Sequence, residues 1–229
     1  MKYKWLLLDA DNTLFDYDKA EAAALQRTFE QFGHKLQPEY VVAYRRINHE
    51  IWRQFEQGKI SQDRLRPRRF ELLFETIHID SDPVKFSVTY IRNLAEAAYL
   101  IDGAEKVVKS FVGRVGLVLI TNGLKEVQRS RLAKSTIGDC FSAIVISDEI
   151  GASKPDSKIF KVAFERMGNP KKEDVLIVGD SLSSDIKGGN EYGIDTCWFN
   201  PARLARDQDV EIRYEIRHLD ELRGIVRAD

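Results

Sequence analysis

The apolar positions of this chain follow two different patterns. Trp5-Leu6-Leu7-Leu8 is a short continuous apolar run closed by polar residues, which predicts a strand buried on both faces. From residue 16 to 99 nothing reads as a strand. Tyr40, Tyr44, Ile47, Ile51 and Phe55 recur at spacings of three and four, the stripe of an amphipathic helix over 39–55. Gly58 breaks that helix, and Ser61 or Gln62 opens a further one marked by Leu65, Leu72, Leu73 and Phe74. Asp82-Pro83 supplies an N-cap and a first-turn proline for a helix reaching about residue 98.

Beyond residue 102 the pattern alternates. Helices are predicted at 105–112, 126–134, 156–167, 182–192 and 219–226, and buried strands at 115–120, 143–146, 175–178 and 196–199. Strands alternating with helices imply a parallel sheet covered on both faces. The first strand stands alone before an all-helical block. The expected fold class is therefore α/β: a doubly wound parallel-sheet core of residues 1–15 and 100–229, with an inserted all-helical domain at 16–99.

Composition changes this picture little. The chain has 229 residues, 43% of them hydrophobic and 31% charged, enough to bury a sizeable core without disulfide or metal staples. Its 35 basic and 36 acidic residues give a net charge of −1, with no footprint for a nucleic acid polymer. Cys140 and Cys197 lie in no metal or redox spacing and read as small buried thiols in a reducing compartment. The run Trp5–Leu8 is far short of a signal-peptide core of about 7–15 residues, and no stretch approaches the ~20 apolar residues of a membrane span. The expectation is a soluble cytoplasmic protein, with no membrane partner and an oligomeric state the sequence leaves open.

Candidate chemistry lies just beyond four of the predicted strands, where open α/β sheets bind ligands. Asp9-Ala-Asp11-Asn-Thr13 puts two carboxylates two residues apart, which repel unless a cation joins them. Thr121-Asn122-Gly123 offers a hydroxyl and backbone amides suited to phosphate oxygens. Lys154-Pro155 brings a cation able to neutralise phosphate or hold a carboxylate. Gly179-Asp180 and Asp185 add the oxygens that a hard Mg²⁺ ion takes. Each alone has a plainer reading: an Asp-rich turn, a helix N-cap, a surface lysine, or acidic residues complementing a helix dipole.

Together, and in this order, they resemble the four signatures of the haloacid dehalogenase-like superfamily, as Asp9-x-Asp11-x-Thr13, Thr121, Lys154 and Asp180-x-x-x-x-Asp185. The resemblance covers essentially the whole chain and identifies the insertion after the first motif with that family's helical cap. It implies Asp9 as a nucleophile forming an aspartyl-phosphate, and Asp11 as the acid and then the base. Thr13 would orient Asp11 or support the turn. Mg²⁺ would be held by Asp9, the Asp11 backbone carbonyl and Asp180, with Asp185 in a secondary or water-mediated role. Thr121, Asn122 and Lys154 would bind phosphate oxygens. In the family's dehalogenases the residue matching Asp11 is not an acid, so its presence argues for phosphate transfer.

The opening Asp9 to Phe15, the segment Asn48-His-Glu-Ile-Trp52, Gly58-Lys-Ile60, Thr121-Asn-Gly-Leu124 and Gly168-Asn-Pro170 are similar to a subgroup of bacterial pyrimidine nucleoside 5′-monophosphatases. That implies UMP, dUMP or dTMP as substrate. Asn48, Trp52 and Arg69 are the insertion's candidates for contacting base or sugar, since an aromatic stacks and amide or guanidinium groups read polar edges. Trp52 also fits the apolar stripe of its helix. Alternatives on the same core are a sugar-phosphate phosphatase or phosphomutase, and a phosphonate-cleaving enzyme. The last needs a Schiff-base lysine, for which Lys19, Lys35, Lys59 and Lys85 carry no motif. A non-catalytic phosphate-binding protein is expected to have lost Asp9 or Asp11, and both are present. His34, His49, His78 and His218 form no cluster, and none is expected to bind metal, although His49 lies on the helix of Asn48 and Trp52. The charged segment 201–209 reads as a surface loop.

Overall fold

A computed structural model describes residues 1–227, with every side chain but those at positions 56 and 62. The apolar run at the start forms β1 (Trp5–Leu8). The chain then enters α1 (Tyr17–Gln31), α2 (Pro38–Glu56), α3 (Gln62–Ile77) and α4 (Pro83–Glu96). Next come α5 (Ala104–Phe111), β2 (Gly116–Thr121), α6 (Lys125–Lys134), β3 (Ala143–Ile146) and the single turn α7 (Ser147–Ile150). Further on lie α8 (Ser157–Arg166), β4 (Val175–Gly179), α9 (Lys187–Tyr192), β5 (Asp195–Phe199), β6 (Tyr214–Ile216) and α10 (Leu222–Arg227). The chain divides into two compact units, Met1–Tyr17 with everything from Ala98 onward, and Asp18–Ala97.

Among the described residues of the larger unit six strands form one sheet in the order β3-β2-β1-β4-β5-β6, and every pairing is parallel. The sheet is covered on both sides because successive strand residues face opposite ways. Leu6, Leu8, Leu117, Leu119, Leu176 and Val178 pack on one face with Val107, Val108 and Phe111 of α5 and with Leu222 of α10. Leu7, Val118, Ile120 and Ile177 pack on the other with Ile159, Phe160 and Ala163 of α8. The unbroken apolar runs in the sequence follow from this two-sided burial.

β1 lies in the middle. Leu8 stands level with Leu119 of β2 on one side and with Val178 of β4 on the other. The chain leaves β1 toward β2 and later returns to β4 across it. The strand order therefore reverses at β1, and that reversal opens a crevice at the carboxyl ends of β1, β2 and β4.

In the smaller unit α3 and α4 start at the caps expected from the sequence. Ser61 accepts the Arg64 N–H at 3.3 Å, and Asp82 accepts from Val84 and Lys85 at 2.9 and 3.1 Å, with Pro83 in the first turn. An aromatic cluster fills the interior: Phe70 packs 5.5 Å from Tyr44, 5.0 Å from Phe86 and 5.2 Å from Tyr90 between ring centres.

The structure departs from the sequence pattern in several places. β6 was not predicted; it is three residues long, flanked by Arg213 and Arg217, too short for an alternation to show. The one-turn α7 was also missed, so Lys154 follows a helical turn and not the end of β3 directly. The expected helix at 182–192 opens with a π-helical turn, Leu182–Ile186, and only then becomes α9. Ser181 caps that turn through the Ser184 N–H at 3.2 Å. Helix 219–226 likewise opens with a 3₁₀ turn, Leu219–Glu221. Cys197 is buried as expected, but Cys140 is only half-buried, and both are free thiols. No helix among the described residues is long and apolar enough to cross a membrane.

Candidate active site

Asp9 follows β1 and continues its ladder, its N–H donating to the Val178 carbonyl at 3.0 Å. The chain must then leave the sheet at once. It turns through Asn12, at a φ of 57° that asparagine tolerates, and the Leu14 and Phe15 N–H groups close back on the Ala10 carbonyl at 2.9 and 2.8 Å. Asp9 is thereby fixed by the sheet, and Asp11 by a tight turn.

Lys154 is the cation of the site and is 1% exposed. Its Nζ donates to Asp9 Oδ1 at 2.5 Å, to Asp185 Oδ1 at 2.6 Å and to the Ile120 carbonyl at 2.8 Å. Its backbone is held by Asn122, whose Oδ1 accepts the Lys154 N–H at 2.7 Å while Nδ2 donates to the Lys154 carbonyl at 2.9 Å. The Asn122 side chain thus stands in for a neighbouring strand. The peptide bond from Lys154 to Pro155 is cis. Thr121, the last residue of β2, is buried between Ile120 and Asn122 in the chain.

Asp180 follows β4. Its Oδ1 accepts from Thr13 Oγ1 at 3.4 Å, and its carbonyl accepts the Trp198 indole N–H at 2.8 Å. Asp185 is fully buried in the π-helical turn. Its second oxygen accepts the Ser181 N–H at 3.1 Å. Gly179 makes room for it, since a Cβ there would lie 2.2 Å from Asp185 Cγ.

Oxygens of Asp9, Asp180 and Asp185 all lie within 4.8 Å of one another. Lys154 Nζ pairs with Asp9 and Asp185, and Asp180 lies beside them as a third carboxylate. Burial, reinforced by Asp185 and Asp11 and opposed by Lys154, pushes the Asp9 carboxyl up to about 7. Burial, then Asp9 and Asp185, push Asp180 well above the usual carboxylate range. Burial disfavours the Lys154 charge, but Asp185 and Asp9 outweigh it and hold the ammonium above its ordinary range. The cluster is short of positive charge, and its all-oxygen donors suit a hard divalent cation.

Asp11 is placed differently from the other acids. Its Oδ1 pairs with Arg131 Nη1 at 2.5 Å and its Oδ2 accepts from Gln128 Nε2 at 2.7 Å. Thr13, expected from the sequence to orient Asp11 or support the turn, donates to Asp180 instead of Asp11, whose carboxylate is turned toward α6. Gln128 and Arg131 were missed by sequence reasoning. The available signal was two polar residues three apart on α6, beside Val127 and Leu132 on its buried side.

Asn48 and Trp52 lie on α2 and Arg69 on α3, all in the smaller unit. Arg69 Nη1 donates to Asn48 Oδ1 at 3.2 Å, and its guanidinium lies 5.0 Å from the Tyr90 ring centre. Both residues are buried. Trp52 is half-buried and meets Phe55 edge-on at 5.7 Å.

Comparison with known proteins agrees with this arrangement. Residues 6–199 match the family model of haloacid dehalogenase-like hydrolases. The HAD-hydrolase YfnB of Bacillus subtilis, in a crystal structure bound to magnesium, superposes with a TM-score of 0.94 at 36% identity over all of both chains. The pyrimidine 5′-nucleotidase YjjG of Escherichia coli is 33% identical over 99% of this chain and 99% of its own. The pyrimidine 5′-nucleotidase PynA of Streptococcus pneumoniae is 34% identical over 97% of this chain and 94% of its own. With the family match spanning every strand end that carries Asp9, Asp11, Thr121, Lys154, Asp180 and Asp185, this chain belongs to the haloacid dehalogenase-like hydrolases.

Proposed function

We propose that this hydrolase is a Mg²⁺-dependent phosphomonoesterase that releases phosphate from pyrimidine nucleoside 5′-monophosphates in the cytoplasm, through an aspartyl-phosphate on Asp9. The observation that carries this reading is the placing of Asp9 at the switch point of the sheet, paired with buried Lys154, with a second acid two residues on.

An Asp9 oxygen attacks phosphorus and the bond from phosphorus to the ester oxygen breaks. Asp11 gives its proton to the departing oxygen, leaving a free alcohol. Asp11, now a carboxylate, takes a proton from water as that water attacks the same phosphorus, and Asp9 leaves as a carboxylate. One group serves both steps because they run in opposite protonation senses. Thr121, the Asn122 amide and Lys154 bind the non-bridging oxygens, and stabilising their charge supplies much of the acceleration. Asp9, the Asp11 carbonyl and Asp180 would hold Mg²⁺, which would offset repulsion between Asp9 and the phosphate. Asp185, whose oxygens accept from Lys154 Nζ and the Ser181 N–H, would have a secondary or water-mediated role there. The magnesium-bound relative and the charge deficit of the cluster both support this assignment.

The substrate class rests on the two named pyrimidine 5′-nucleotidases at 33% and 34% identity. In this reading Asn48, Trp52 and Arg69 are the candidates for contacting base or sugar; Trp52 is half-buried, whereas Asn48 and Arg69 would have to leave their buried pairing to reach it. The test is phosphate release with Mg²⁺ from a panel of nucleoside and sugar monophosphates, beside Asp9→Asn. Release from UMP, dUMP or dTMP that disappears in the variant is expected. Release from sugar phosphates alone would keep the chemistry and overturn the nucleotide assignment. A folded, Mg²⁺-supplied protein that releases nothing would overturn both.

A further inference from the structure

α6 starts immediately after the Thr121–Gly123 turn and carries two buried polar side chains one turn apart. Gln128 is 1% exposed and Arg131 is fully buried. Both reach the same carboxylate from one side, and each Asp11 oxygen receives its own donor. One further contact ties this pair to the Asp11 turn, and a second ties it to the turn after β2. The Arg131 guanidinium lies 4.7 Å from the ring centre of Phe15, and Phe15 bridges to Asp11. Gln128 lies across Gly123, where a Cβ would come within 2.6 Å of its Nε2. That glycine is therefore needed to let the amide reach Asp11.

Burying a guanidinium and an amide is costly unless their polar groups are used. Here they are used only in part. Among the described residues, Arg131 Nε and Nη2 and Gln128 Oε1 have no hydrogen-bond partner. A pair serving only to staple α6 to the sheet would be expected to form a closed network. These two instead spend their hydrogen bonds on Asp11.

Building on the function proposed above, we propose that Gln128 and Arg131 are positioning residues for the acid–base group: together they fix the orientation of the Asp11 carboxylate for both proton transfers. They act through Asp11, the group to which both donate. Displacing a reacting group by about 1 Å is enough to cost roughly 10²-fold in rate.

The experiment compares two leaving groups. An alkyl phosphate such as UMP needs a proton on its departing oxygen, whereas p-nitrophenyl phosphate does not. Gln128→Leu and Arg131→Met are expected to lower kcat/KM roughly 10²-fold with UMP, or with the best alkyl phosphate found. With p-nitrophenyl phosphate the loss is expected to stay within about 3-fold, following the pattern of Asp11→Asn. Arg131→Lys, which restores a donor, recovers part of the loss. In an Asp11→Asn background Gln128→Leu costs nothing more, because its effect passes through Asp11. Thermal melts identify any variant that fails to fold, and Gln128→Leu together with Arg131→Lys keeps the test available if Arg131→Met does. Equal losses with both substrates, or a Gln128→Leu loss that persists without Asp11, would overturn the inference while leaving the proposed function standing. Wild-type protein inactive on both substrates would overturn that function first.

Discussion

Lys154 sits between two buried carboxylates, and its removal leaves both without their cation. Uncompensated buried charge costs about 3–5 kcal/mol. Lys154→Met is therefore expected to lose about that much stability in urea unfolding with the metal chelated, and to lose activity with metal restored; a change under about 1 kcal/mol would contradict the role given to this ion pair. Asn122→Ala tests the support behind it. Two hydrogen bonds to the Lys154 backbone vanish, at about 0.5–1.5 kcal/mol each, and kcat is expected to fall more than KM rises. At this scale the sequence revealed residue types but not partners. Asp9, Asp11, Lys154, Asp180 and Asp185 stood out because strand ends carry ligands. Nothing in the sequence shows that the Asn122 side chain holds Lys154, or that Thr13 donates to Asp180, since such pairings depend on residues brought together from 32 and 167 positions apart.

Among the elements, long apolar runs were the easiest to read. β1, β2, β3 and β4 are each buried on both faces, so burial leaves a continuous apolar signature. β6 lies at the sheet edge with Glu215 exposed, and an edge strand needs no such run. The sequence pattern predicts ordinary helix across the π-helical turn 182–186 because the cause of that turn is local and polar: Ser181 caps it and Asp185 folds back onto the Ser181 N–H. Gly179, at the end of β4, is the opposite case of a residue whose meaning needs the structure. Its missing side chain admits Asp185. Gly179→Ala is expected to cost about 1–3 kcal/mol through overpacking and to weaken Mg²⁺ binding by displacing that carboxylate. Thermal unfolding and Mg²⁺ titration check both parts, and a variant that melts and binds like wild type would refute the account of this glycine.

The molecule as a whole should register the charge deficit at its strand ends. Burial lifts Asp9 to about 7 and lifts Asp180 as well. An acid whose folded pKa lies above its unfolded one keeps its proton longer in the folded state. Between the ordinary aspartate range and about pH 7 the folded protein then binds more protons than the unfolded chain, and stability falls as pH rises. Metal-free protein is expected to melt at a lower temperature at pH 8 than at pH 5.5, and added Mg²⁺ should raise the melting temperature more at pH 8. A flat metal-free profile, or equal stabilisation at both values, would contradict this electrostatic picture. The α/β class itself was legible from the alternation of buried runs and helical stripes. The order β3-β2-β1-β4-β5-β6, which sets the switch point beside Asp9, was not, because strand neighbours leave no local mark.

In the proposed mechanism phosphate passes through Asp9. Its most direct test is rapid acid quench of the enzyme turning over a [³²P]phosphomonoester with Mg²⁺, followed by peptide mapping of the labelled protein. Acid-stable, hydroxylamine-labile ³²P on the peptide carrying Asp9, absent from Asp9→Asn, is the predicted result. Steady phosphate release with no label on the protein at any quench time, or full activity in Asp9→Asn, would contradict it.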